Sequence, residues 1–198
     1  MDAQLDSVWK NPSDKMQKLR ITMQAVIFML ALIVTDITHM ARAIATTNAS
    51  EQALIAAFLY NFLKFTEWPP EIITREIKLC IPENQKFKEL DDITGRSIEN
   101  KPVLIKYVNF GETIDDCQLL YLSREESAEK TRNWLKITRQ KPILIVSNIS
   151  EFLDMGGMII LINNGKTLNF EINLEHVRNS GLKLSAQLLQ IARHIRDR

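Results

Sequence analysis

Ile21–Val34 is a 14-residue, largely apolar run that follows Lys15, Lys18 and Arg20. A membrane-spanning helix needs about 20 apolar residues, so this run is short for a span. A basic start, a short apolar core and small residues at a cleavage site define a secretory signal peptide. Ala41-Arg42-Ala43 and Ala43-Ile44-Ala45 both supply the small-x-small pattern. We expect cleavage after Ala45, so that 1–45 is removed and the mature chain runs from Thr46 to Arg198. The alternative is an uncleaved inner-membrane anchor, because Thr35–Met40 lengthens the gap to the cleavage site. The first 15 residues are polar and sit awkwardly before a signal peptide, whereas Met16 begins an ordinary one, so translation is expected to start at Met16. The fold must then be built from 46–198 alone, in a compartment where thiols oxidise.

About 150 residues are enough for one domain with a substantial core. From Thr46 onward the chain carries 20 Lys+Arg and 20 Asp+Glu, with no long run of one sign. Nucleic acid is therefore not an expected partner, since phosphate binding shows as a basic excess.

The patterning predicts alternating helices and strands. Ser50–Glu67 reads as a helix whose Leu54, Ile55, Phe58, Leu59, Phe62 and Phe65 recur at three- and four-residue spacing, and Trp68-Pro69-Pro70 stops it. Strands are expected at Glu76–Pro82, Pro102–Val108, Cys117–Ser123 and Pro142–Ser147. Helices are expected at Glu83–Ile93 and Arg124–Thr138, with one helical turn at Ser150–Asp154. Met158–Ile162 and Lys166–Ile172 flank Asn-Gly, a strong hairpin signal because both residues tolerate positive φ. Asn173 can cap a short helix running to Asn179, with Gly181 as its stop, and Ser185–Arg196 reads as the last helix. The central apolar strands, Cys117–Ser123 and Pro142–Ser147, need helices on both faces. The fold class expected is α/β, a single-domain sandwich with a mixed sheet of about six strands flanked by helices.

Catalytic and metal-binding patterns are absent from the mature sequence. There is no Cys-x-x-Cys or His-x-x-x-His, no Gly-x-Ser-x-Gly elbow and no Gly-rich phosphate loop. His176 has no sequence-evident partner for general-base work and reads as a surface helix residue. No enzyme activity, metal or cofactor is expected. Cys80 and Cys117 lie at the end of one predicted strand and the start of another, and in an oxidising compartment we expect them to bridge. Two buried free thiols are the alternative; no neighbouring charge pattern tunes either thiol as a redox pair.

Three segments carry a resemblance. The first is Ala56-Ala57-Phe58-Leu59-Tyr60-Asn61-Phe62, continuing through Lys64-Phe65 to Glu67-Trp68-Pro69. The second is Cys117 followed by Leu120-Tyr121-Leu122-Ser123. The third is Gly156-Gly157-Met158-Ile159, then Phe170-Glu171-Ile172-Asn173-Leu174, then Gly181-Leu182-Lys183-Leu184-Ser185 with Leu188-Leu189. In this combination, which spans essentially the whole mature chain, the sequence resembles the YfiR family of small periplasmic proteins.

The resemblance implies an α/β sandwich, a periplasmic location, no catalysis and a homodimer. The namesake type represses a membrane-bound diguanylate cyclase by binding its periplasmic portion, and losing that repression raises cyclic-di-GMP and biofilm formation. Cys80 and Cys117 match one cysteine pair of the family; a second pair, around the Gly-Gly-Met segment of the namesake, is missing between Leu153 and Ile162. The resemblance places the partner surface at Glu171, Asn173 and Val177. Solvation, helix capping and core packing are the ordinary roles of those three residue types. A second reading is a periplasmic small-ligand module feeding a sensor kinase or transporter, with a pocket lined by Phe62, Phe65 and Trp68.

Overall fold

The computed structural model describes residues 51–72, 75–165 and 167–197. The expected signal peptide, its cleavage site and Met16 lie outside these residues. From 51 to 64 the chain is helical (α1), with Ile55, Leu59, Phe62 and Leu63 buried on one face. Then come β1 (Thr66–Glu67), β2 (Ile77–Pro82), two short 3-10 turns, β3 (Ser97–Ile98), β4 (Lys101–Val108) and β5 (Leu119–Leu122). Next are α2 (Ala128–Thr138), β6 (Leu144–Ser147), β7 (Ile159–Asn163) and β8 (Leu168–Asn173). The chain closes with α3 (Leu174–Asn179), β9 (Lys183–Leu184), α4 (Ala186–Ile191) and β10 (His194–Arg196).

Eight strands form one mixed sheet in the order β3-β4-β2-β5-β6-β7-β8-β10. The five central strands, β4, β2, β5, β6 and β7, are parallel. β8 returns antiparallel to β7, as the hairpin signal predicts, and β3 lies antiparallel on the far edge. β1 and β9 make a separate two-stranded ladder. The α/β sandwich is as expected, with two more strands in its sheet than the six read from sequence, because β3 and β10 are two and three residues long. The hairpin's last pair is Asn163 with Leu168, so Asn164, Gly165 and Thr167 lie beyond the ladder and the turn is wider than two residues; Gly165 takes its left-handed position at φ +84°.

Three other boundaries differ from the sequence reading for identifiable reasons. α1 ends at 64 because Thr66 and Glu67 leave the helix to pair with Leu184 and Lys183. The expected helix Glu83–Ile93 breaks into two 3-10 turns, Glu83–Gln85 and Lys88–Asp92, with Phe87 extended between them. Ser185–Arg196 is a helix only from Ala186 to Ile191, capped by Ser185 Oγ accepting from the Leu188 amide. After Ala192 the chain extends, the Arg193 amide donates to the Phe170 carbonyl at 2.9 Å, and His194–Arg196 pairs parallel with β8. Open edge groups on β8 outcompete about one and a half further helical turns, since a bare edge is a poor terminus for a sheet.

The sheet carries a core on each face. One is built on α1, α3 and α4 with Leu79, Tyr121, Val146, Ile159 and Phe170 from the strands. The other holds Trp134 and Leu135 of α2 with Cys80, Leu120, Leu122 and Ile145. Each large aliphatic or aromatic side chain so buried contributes about 1.5–3 kcal/mol.

Candidate functional site

Cys80 and Cys117 are joined as a disulfide with Cα atoms 5.9 Å apart, within the ordinary range, and both are fully buried. The bridge ties β2 to the segment just before β5, in the core on the α2 side. Beside it, Asp116 accepts hydrogen bonds from Lys106 at 2.7 Å and Lys78 at 2.9 Å. Partial burial opposes ionisation of Asp116, but the two lysine hydrogen bonds and their charge outweigh it and bring the carboxyl down to about 2.

Glu171, Asn173 and Val177 come together where β8 turns into α3. Strand alternation sends Leu168, Phe170 and Ile172 into the α1-side core and Glu171 to the opposite face. There Glu171 stands opposite Ile160 of β7 and beside His194 of β10, its carboxylate 3.9 Å from Arg193 Nε and its side chain 18% exposed. Asn173 is committed locally: its side-chain oxygen accepts from the His176 amide at 3.1 Å and its own amide donates to the Met158 carbonyl at 2.8 Å. Val177 is fully buried in the α1-side core. Of the three, Glu171 is the one with a side chain on the surface and free of a capping role.

Phe62, Phe65 and Trp68 lie at the end of α1 and just beyond it. Phe62 is fully buried, with its ring edge-on to Phe170 at 5.1 Å. Phe65 is partly buried under Lys64, whose Nζ sits 5.4 Å from the ring centre. The Trp68 indole N–H donates to the Gln118 carbonyl at 3.1 Å. None of the three lines the cavities described below.

In open parallel sheets a small ligand commonly sits where strand order reverses, at the carboxyl ends of the strands. Here that crevice lies between β2 and β5, and the chain fills it itself. Gln85, buried just after β2, accepts from the Ser123 amide at 2.7 Å and donates to buried Glu126 at 3.0 Å. A cavity of about 310 Å³ remains beside it, walled by Phe110 and Trp134, whose rings meet edge to face at 5.5 Å.

A larger cavity, about 630 Å³, opens between α2, the 155–158 segment and α3. Arg132, Lys136, Arg139 and His176 contribute to its wall, Leu135, Ile145, Met155 and Met158 to its apolar part, and no carboxylate lines it. The His176 ring Nδ1 lies 3.3 Å from the Gly157 carbonyl. This basic groove was not among the site residues drawn from sequence, although the i, i+4, i+7 spacing of Arg132, Lys136 and Arg139, the first two within one predicted helix and the third just after it, signals it.

No group of three His, Cys, Asp or Glu side chains gathers at metal-binding distance among the described residues. No helix among them is long and apolar enough to cross a membrane. A sequence model of the YfiR/HmsC-like family matches residues 52–193, well over half of the chain and nearly all of its described part, and the chain belongs to that family.

Proposed function

We propose that this YfiR/HmsC-like protein is an exported, non-enzymatic regulator that binds the periplasmic part of a membrane signalling protein, a diguanylate cyclase, and lowers cyclic-di-GMP. Family membership over residues 52–193 is the observation that carries this reading. The signal-like sequence before Thr46 and the buried disulfide agree with a periplasmic location. The mechanism is a population shift: the regulator binds the partner's inactive state better than its active state, and dissociation releases output. Such a protein works as a homodimer presenting the β8–α3 corner. Glu171 meets the partner there, while Asn173 and Val177 hold α3 in place.

Deleting the gene should raise cellular cyclic-di-GMP and biofilm formation; unchanged levels in a strain that keeps its cyclases would contradict the reading. Two substitutions separate contact from support. Glu171→Lys should raise cyclic-di-GMP while leaving protein abundance unchanged. Val177→Ala should instead reduce abundance, because truncating a buried aliphatic side chain costs about 1–3 kcal/mol and lowers the folded fraction.

A further inference from the structure

The groove between α2 and α3 has a charge pattern that the fold itself does not use. Elsewhere on the chain Lys78, Lys86, Lys106, Arg124, Lys141 and Arg178 each face a carboxylate, while the scattered, exposed Lys88 and Lys183 face none among the described residues. Arg132, Lys136 and Arg139 have no ion-pair partner among the described residues, yet all three are exposed and line the same cavity. The C-terminal dipole of α2 accounts for Lys136 and Arg139, in and just after the last turn, but not for Arg132, which lies mid-helix. Three unpaired cations along one stripe repel one another, although from Thr46 onward the chain carries as many carboxylates as cations.

From Arg132 to Arg139 the stripe runs about 10 Å at 1.5 Å per helical residue. That is longer than one carboxylate or phosphate group. An extended peptide places alternate side chains about 7 Å apart on one side, so acidic residues at every second position would follow the stripe. The intervening apolar side chains point to the other side of such a peptide, toward the wall that Met155 and Met158 contribute. From charge complementarity and this spacing we infer that the groove seats an extended, alternately acidic and apolar segment of the partner protein. The inference rests on the reading of this chain as a partner-binding regulator and adds the chemistry of the segment it holds. The groove abuts the β8–α3 corner through His176, three residues after Asn173.

The test uses the exported protein purified from periplasm and a labelled short peptide alternating glutamate and leucine, read by fluorescence anisotropy. The wild type should bind it, more weakly as sodium chloride screens the charges. The variant R132E/K136E/R139E should bind at least about tenfold more weakly, since three attractive contacts become repulsive. A control, K88E/K183E, reverses two exposed cations away from the groove and should bind as the wild type does. If the triple variant melts below the wild type, Arg132→Gln and Lys136→Gln serve singly, each expected to weaken binding about threefold or more. No peptide binding by the wild type, equal loss in the control, or preference for phosphatidylglycerol vesicles over the peptide would each overturn the inference. Because the readout is direct binding, it can fail while gene deletion still raises cyclic-di-GMP, and the reverse.

Discussion

At the residue scale, the tightest constraint sits at Gly157. A Cβ there would lie 2.2 Å from the ring of Phe152, which is fully buried and has no room to swing. Gly157→Ala should therefore destabilise the protein by about 1–3 kcal/mol, the usual cost of overpacking, measured as a lower urea midpoint at unchanged slope. The Gly-Gly pair is visible in the sequence, but the aromatic ring that enforces it lies five residues upstream in a turn, which periodicity does not reveal. Asp116 gives the second residue-scale prediction. Its pKa is depressed on folding, so its contribution is present above the unfolded value near 4 and is lost as pH falls toward about 2. Asp116→Asn should flatten the stability profile over that acid window and cost at most about 1 kcal/mol at neutral pH, because the carboxylate is nearly half exposed and solvent screens it. A variant with the wild-type acid profile would show that the Lys78–Asp116–Lys106 cluster carries no linkage.

At the element scale, α3 depends on its cap. Asn173 satisfies the His176 amide, so Asn173→Ala should cost about 1 kcal/mol and lower the melting temperature, whereas Asn173→Asp should nearly keep it. This cap was legible, since Asn before a short apolar-periodic segment is a start signal. The parallel strands β5 and β6 were legible because nearly continuous Leu, Ile and Val runs suit strands covered on both faces, and β2 and β4 were legible from alternation and branched residues. The chain after Ile191 was not. Ala192 and Ile195 continue a helical spacing, and local pattern alone cannot show that the edge of β8, 23 residues earlier in the pairing register, competes for the same backbone. Ile191 is 68% exposed where a continued amphipathic helix would have buried it. The same limit explains α1, whose last two expected residues, Thr66 and Glu67, are taken by pairing with β9.

At the scale of the whole molecule, one covalent tie spans the start of the parallel sheet. Closing the 37-residue interval from Cys80 to Cys117 stabilises by roughly 3–4 kcal/mol in the chain-entropy account. Cys80→Ala/Cys117→Ala should therefore lose stability on that order in denaturant titration, and a reductant should act slowly on the native protein because both sulfurs are buried. The pairing was readable from the two cysteines, their strand context and the export-like leader. The basic groove was readable only as three cations at helical spacing; that α3 and the 155–158 segment would wall it follows from the β7–β8 hairpin bringing distant segments together. The corner proposed for the partner rested on family resemblance, and in the structure its three residues divide into one partly exposed carboxylate, one cap and one core residue.

The central claim is that this chain restrains a membrane cyclase from the periplasmic side. It is tested most directly by measuring cyclic-di-GMP in a deletion strain complemented with either the full chain or residues 46–198 lacking the export signal. The account predicts that the full chain returns cyclic-di-GMP to the wild-type level while the unexported form, at equal abundance, leaves it raised. Equal repression by both forms, or by neither, would contradict it.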